Sequence, residues 1–394
     1  MRYREIDWFN PYILILLLIL FVLISLPIHF KSRPLLPFPS GQLFLYVLMG
    51  MIFLSSGIES SRYILKKSKT LKNIKKLSSD VYSKDDNTKK ITDYRISLKE
   101  LPLFGNYSRI ESVLIVLILF SLVLQLINFY NLGGIPLFSG YLKSKAATRI
   151  WFLSFMIFLP SINILLSKYN RKTHYVLLFL GLLCFALTGY RTTPIAILLS
   201  SFITIFYTHN ISRKTKILFV ALIIVLLLAI GFIAVRSIEW QHWTLNPLEL
   251  ISYRAAFTLN VLDRITYHQA ITSGNLLYST LTGYFTSTDP RVLVGEAVLL
   301  KHHSITSTIF GPVLLDFGAI GMIIQMFLMG FVLGTLHILQ KHNHGVCTAF
   351  YSIILAQSII WLETGPTDLI VFIFYIIGIL LIVYKLNIIH KQNN

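Results

Sequence analysis

Five arginines, Arg191, Arg236, Arg254, Arg264 and Arg291, stand just beyond or between the long apolar runs of this chain. A guanidinium presents a planar fork of N–H donors that matches two phosphate oxygens at once, so a group of them suits a diphosphate. Groups able to move a proton lie near the last of these: the tandem His302 and His303, with Glu296 and Asp316 close by. A histidine with a tuned pKa can deprotonate an attacking hydroxyl, and a carboxylate can do so or orient it. Other chemistries lack their residues. There is no HExxH, no DxD and no paired-cysteine arrangement for a metal, and no P-loop, GxSxG or GxGxxG. Cys184 and Cys347 fall in or at the end of apolar runs and give neither a disulfide framework nor metal-ligand spacing. The chemistry expected from this set needs no metal and no cofactor.

Asn246 and Pro247 read as an N-cap and first-turn pair opening a helix that continues to about residue 271. At about 100° per residue, Arg254, Arg264 and His268 share a sector of about 80°, and Asp263 falls on the opposite face. Such a cationic stripe either grips an anion such as diphosphate or rests on lipid headgroups. Arg191 stands in the turn Gly189-Tyr190-Arg191-Thr192-Thr193-Pro194, where it faces the same anion or anchors the turn at the membrane interface. Arg236 directly follows an apolar run.

The elements that must position these groups are themselves apolar. Only 13% of the 394 residues are charged, 55% are apolar and the mean hydropathy is +0.69, whereas a soluble domain carries about 25% charged residues. Mostly apolar runs cover 12–28, 42–58, 110–127, 150–166, 175–187, 193–207, 217–235, 317–339, 346–362 and 369–386. Most of them approach the length that a helix needs to cross a bilayer. The expected fold is all-α: a polytopic integral membrane protein with a single membrane domain of about ten transmembrane helices. A large external loop, 236–316, separates spans seven and eight; it mixes Trp240, Trp243, Tyr253 and Tyr284 with scattered charges, the composition of a folded cap. No small-residue cleavage site follows the first run, which reads as a retained helix. With the N-terminus inside, 24 of the 35 Lys and Arg fall on the cytoplasmic side, 13 of them in a basic loop at 59–109. Both termini are then cytoplasmic, in a multi-pass protein of the cell (inner) membrane. The net charge of +18 lies mostly beside apolar runs, which points to lipid headgroups and not to nucleic acid.

These features resemble a known family. The segment from His303-Ser304-Ile305 through Gly311-Pro312-Val313-Leu314-Leu315-Asp316-Phe317-Gly318-Ala319-Ile320-Gly321, followed by a long glycine-spaced helix, is similar to the end of the large external loop in oligosaccharide repeat-unit polymerases. These are the Wzy-type O-antigen and polysaccharide polymerases; the related O-antigen ligases have a similar His followed by a Gly-x-x-Gly helix start. Gly133-Gly134-Ile135-Pro136-Leu137-Phe138 and Gly189-Tyr190-Arg191-Thr192 also resemble recurring features of the polymerases. The resemblance implies metal-independent glycosyl transfer at the outer face of the cytoplasmic membrane. A growing surface polysaccharide, of the lipopolysaccharide O-antigen or capsule type, would pass from its polyprenyl diphosphate to a hydroxyl of an incoming lipid-linked repeat unit. It implies that Arg191, Arg236, Arg254, Arg264, His268 and Arg291 bind substrate, while His303, His302, Asp316 or Glu296 assists the hydroxyl. The implied partners are polyprenyl-diphosphate-linked oligosaccharides, membrane lipids, a flippase and a chain-length regulator.

Three rivals share parts of this pattern. A metal-dependent glycosyltransferase usually places acidic residues in its first external loop, yet 29–41 holds Lys31 and Arg33 and no carboxylate. A flippase or other transporter usually carries ionisable residues or broken helices within its spans, and here Glu111 and Lys385 lie at cytoplasmic span ends. A ligase performs nearly the same chemistry and differs in its acceptor.

Overall fold

The computed structural model describes residues 7–30, 36–67, 108–169, 171–209, 247–286, 288–300, 303–342 and 344–391. Every regular element among them is helical. In chain order these are α1 (Ile13–Ser25), continued by a 3-10 turn (Leu26–Phe30), α2 (Gly41–Lys67), α3 (Arg109–Leu132), a 3-10 turn (Pro136–Phe138), α4 (Gly140–Lys145) and α5 (Arg149–Lys168). There follow α6 (Lys172–Ala186), α7 (Thr192–Thr208), α8 (Pro247–Tyr267), α9 (Asn275–Thr286), α10 (Pro290–Ala297), α11 (Gly311–His342), α12 (Val346–Thr364) and α13 (Leu369–Lys391).

Among the described residues, seven helical stretches are long and apolar enough to cross a bilayer: α1 with its turn, α2, α3, α5, α11, α12 and α13. The apolar α6 and α7 are shorter, and the expected span at 217–235 lies outside the described residues, as does most of the 59–109 loop. The chain is a multi-pass membrane protein. Among the spans the limits differ most from the sequence expectation at two places: α2 continues through Lys67, and α11 starts already at Gly311.

Within a bilayer, helices associate through close packing, small residues and interhelical hydrogen bonds, because lipid is as apolar as leucine. α2 and α11 meet backbone to backbone: a Cβ on Gly57 would strike the Phe327 carbonyl, and one on Gly330 the Leu54 carbonyl. α3 and α5 exchange hydroxyl bonds, Ser121 Oγ to the Ser154 carbonyl at 2.9 Å and Ser154 Oγ to the Ser121 carbonyl at 2.8 Å. A buried amide joins α5 to α7, with Thr204 Oγ1 donating to Asn163 Oδ1 at 2.7 Å. α12 threads the middle against α5, α7, α11 and α13. Of its spanning window 78% is buried, against 22% for α1 and 28% for α3 and α13. The outward Leu16, Val116 and Leu380 on those peripheral helices suit contact with lipid.

Helices α8, α9 and α10 cap one end of this set. α8 packs on α1, its 3-10 turn and α2, and Asp263 accepts from both Ser40 Oγ and the Ser40 N–H at the start of α2. α11 is bent at Gly318, whose φ of 64° and ψ of −160° lie outside the helical region and suit only glycine. The break removes the normal partners of the Leu314 and Leu315 carbonyls. They accept instead from the N–H groups of Ala270 (3.0 Å) and Thr272 (3.1 Å), so a strip of the cap is stitched to the broken helix. The same stitch explains why α8 ends at Tyr267 and not near residue 271: Ala270, Ser273 and Gly274 adopt positive φ and turn the chain into α9.

Candidate active site

The turns 133–148, 187–191 and 365–368 gather at the cap end. Gly133 closes α3 in the left-handed region, and the Leu137 N–H donates to the Leu187 carbonyl at 3.0 Å. Gly189, at a φ of 75°, packs against the Lys143 side chain and Leu137. The two glycine-bearing motifs singled out in the sequence therefore lie against each other. Together they hold Arg191, which occupies the N-cap position of α7.

Arg254, on the second turn of α8, donates from Nε to Glu363 Oε1 at 3.0 Å, and both side chains are close to half exposed. Glu363 lies at the end of α12. Arg191 is within electrostatic reach of both. Burial draws its guanidinium below the ordinary range, Glu363 pushes it back up and Arg254 adds a further downward pull. The group stays charged, because arginine titrates far above neutrality. Burial also lowers the Lys143 ammonium, with the charge of Arg191 as second cause.

Arg291, in the first turn of α10, reaches the same inter-helix link. Its Nη2 lies 2.6 Å from Asp368 Oδ1 and its Nε donates to Thr367 Oγ1 at 3.2 Å. Asp368 raises the pKa of Arg291 against the opposing effect of burial. Asp289 caps α10 by accepting the Arg291 N–H at 3.0 Å, and its other oxygen accepts from Ser304 Oγ at 2.8 Å. Tyr190 stands between the two arginine groups. Burial raises its phenol pKa, and it feels the charges of Arg291 and Asp289. Two cap helices and the turn before α7 thus bring guanidiniums to 363–368, the link between α12 and α13.

The remaining expected residues lie elsewhere. Arg264 follows Arg254 by ten residues on one helix, about 15 Å further along the axis, and donates to the Val298 carbonyl at 3.3 Å. His268 falls beyond the end of α8, so the helical stripe comprises Arg254 and Arg264 alone, with His268 exposed in the turn that follows. Glu296 and His303 are exposed on the segment next to Val298, which folds back so that the Leu300 and His303 carbonyls abut Gly295. Asp316 is buried and fully engaged. Its Oδ1 accepts from Thr272 Oγ1 (2.6 Å), Gly274 N (3.1 Å) and Leu276 N (3.0 Å), and its Oδ2 from Leu277 N (2.6 Å). It satisfies the otherwise orphaned N-terminal amides of α9. Arg236 and His302 lie outside the described residues.

Sequence reasoning missed Glu363, Asp368, Lys143 and Tyr190. One local signal was available: Glu363 immediately precedes Thr364-Gly365-Pro366, a strong helix stop, so it had to sit at a span end beside a short polar link. Among the described residues no three His, Cys, Asp or Glu side chains group to hold a metal ion. What the site offers is a set of cations for an anion, with a partly exposed carboxylate among them.

The family model described as "putative O-antigen polymerase" matches residues 7–375, a range that contains every residue of this site. The chain belongs to the O-antigen polymerase family. It is also similar to two uncharacterized proteins of Methanocaldococcus jannaschii. One is 24% identical over 257 residues, covering 64% of this chain and 70% of the relative. The other is 26% identical over 199 residues, covering 50% of this chain and 47% of the relative. No solved structure matches the chain. The polymerase family works on lipid-linked sugars at a membrane, and the cation group at the cap end suits the charged part of such a substrate.

Proposed function

We propose that this protein joins polyprenyl-diphosphate-linked oligosaccharide repeat units into a surface polysaccharide by glycosyl transfer at the outer face of the cytoplasmic membrane. The observation that carries the reading is that Lys143 packs against Gly189 in the turn that bears Arg191, with Arg254 within electrostatic reach of Arg191, in an O-antigen polymerase family member. Arg191 and Lys143 hold the donor's diphosphate. Negative charge grows on that group as the glycosidic bond breaks, and fixed guanidinium donors stabilise it there. In this reading the cations supply what a metal ion would otherwise supply at the leaving group. Arg291 fixes α10 to the α12–α13 link, and Asp316 fixes α9 to α11. Arg264, His268, Glu296 and His303 line the exposed rim over which the sugars pass. The cap faces outward, both termini face the cytoplasm, and a flippase and a chain-length regulator act on the same lipid-linked sugars.

The test is a gel of lipid-linked and surface glycans from cells with and without the gene. The expected result is loss of the long ladder while a single repeat unit still reaches the surface. Loss of the single unit as well would assign a flippase, and long glycan stranded on its lipid carrier would assign a ligase.

A further inference from the structure

We propose that Glu363 is the general base of this site, the group that takes the proton from the attacking sugar hydroxyl; the assignment rests on the polymerase reading above. Arg254 engages its Oε1 at 3.0 Å, which leaves Oε2 for a substrate, and the side chain is 40% exposed. Three other carboxylates near the arginines are committed: Asp289 caps α10 and holds Ser304, Asp263 holds the start of α2, and Asp316 caps α9. Asp368 is singly paired with Arg291, as Glu363 is with Arg254, but it is Glu363 whose charge acts on Arg191. Glu363 also sits within electrostatic reach of Arg191, the cation assigned to the diphosphate, so base and leaving group share one place.

The support beneath it is rigid. Among the described residues α12 is the most buried of the spanning helices, and it stops at Gly365, whose φ is 77°. A Cβ there would sit 2.7 Å from the Thr308 carbonyl and 3.0 Å from Pro312 Cγ, so the end of α12 is pressed against the start of α11. A group that must meet a hydroxyl at hydrogen-bonding distance gains from such a mount. In the proposed step the hydroxyl oxygen bonds to the anomeric carbon as the bond from that carbon to the diphosphate oxygen breaks. The electron pair leaves with the polyprenyl diphosphate, and the hydroxyl proton passes to Glu363 and then to water. From α8 Arg254 faces the carboxylate, and from the turn before α7 Arg191 does.

The experiment uses the purified full chain in proteoliposomes, with lipid-linked oligosaccharide extracted from cells lacking the gene as probe. Glu363→Gln keeps an oxygen that can accept from Arg254 but cannot take a proton. It is expected to slow elongation by about 10²- to 10⁴-fold, to retain the extract as the parent does, and to lose the acid limb of the parent's pH–rate profile. Glu363→Asp is expected to recover part of the rate. Elongation by Glu363→Gln at the parental rate would overturn the proposal, as would loss confined to Glu363→Ala, which would make the carboxylate a tether. Where a variant does not accumulate, the parent decides: a profile without an acid limb overturns the assignment. A parent that elongates nothing would overturn the polymerase reading itself.

Discussion

The two ends of the helix set pair their cations with carboxylates differently. At the end remote from the cap, each of two carboxylates meets more than one donor. Asp7 lies 2.9 Å from His337 Nε2 and 2.7 Å from Lys341 Nζ, and accepts from Tyr207 OH at 2.6 Å. Glu111, almost wholly buried, has His174 Nε2 and Arg171 Nε each at 3.1 Å. At the cap end Asp316 and Asp263 are held by several donors too, but the arginine–carboxylate pairs are single, Arg254 with Glu363 and Arg291 with Asp368, and the first is near half exposed on both sides. Closed nodes join helices, α3 to α6 through Glu111 and the segment before α1 to α7 and α11 through Asp7. Open pairs leave ionic capacity for a ligand, because a partly hydrated charge can trade water for substrate at little cost.

The largest expected effect follows from that contrast. Arg191→Ala should reduce long glycan by about 10²- to 10³-fold, the range for losing a donor to transition-state charge, and Arg254→Ala, which frees Glu363 from its partner, should reduce it as well, while the protein still inserts and accumulates in membranes. A normal ladder from either variant would remove that arginine from the site and erase the distinction between the ends. Glu111→Gln should do the reverse. It strips the charge from a buried carboxylate that faces the wholly buried His174, a cost of about 1.5–3 kcal/mol. Thermal unfolding in detergent should show that loss, with elongation per folded molecule unchanged.

Much of this was legible from sequence, for identifiable reasons. Helices such as α3, α5 and α12 follow from apolar runs alone, since a bilayer imposes the length and leaves no other regular option. Pro247 marked the start of α8, and the placing of Asp263 opposite the arginines on that helix fits its contact with Ser40. The end of α8 was not legible, because it depends on carbonyls freed by a bend at Gly318, some fifty positions away. Asp316 reads as chemistry in sequence but serves as a cap, because the amides it satisfies belong to a helix earlier in the chain. Glu363 was hidden for the same reason: its partner Arg254 is 109 residues distant.

The closed node at Asp7 makes a smaller, pH-dependent prediction. Burial by itself would raise its pKa, but the bonds to His337, Lys341 and Tyr207 outweigh it and bring the carboxyl well below the usual carboxylate range. A folded-state pKa below the unfolded value means stability that is fully present above an ordinary Asp pKa of about 4 and is lost as pH falls below it. The unfolding midpoint should therefore hold from neutrality to about pH 5 and drop below about pH 4. Asp7→Asn should cost about 1–3 kcal/mol at neutral pH and flatten that drop. A parent-like drop in Asp7→Asn would assign the acid sensitivity elsewhere.

Arg291 tests where the boundary between the two designs runs. Its side chain is 29% exposed and its partner Asp368 39%, so removing it should cost stability no more than about 1 kcal/mol. It differs from Arg191 in being held by two groups of the α12–α13 link, Thr367 and Asp368. A guanidinium so occupied acts as a strap for α10 and not as a ligand for diphosphate. Arg291→Ala should accordingly leave the limiting elongation rate within about threefold and raise the lipid-linked substrate concentration needed to reach it, since a loosened cap weakens binding in ground and transition states alike. A loss as deep as that expected for Arg191→Ala would show that the Asp368 pair opens to substrate. The cation site would then extend from the α7 turn to α10.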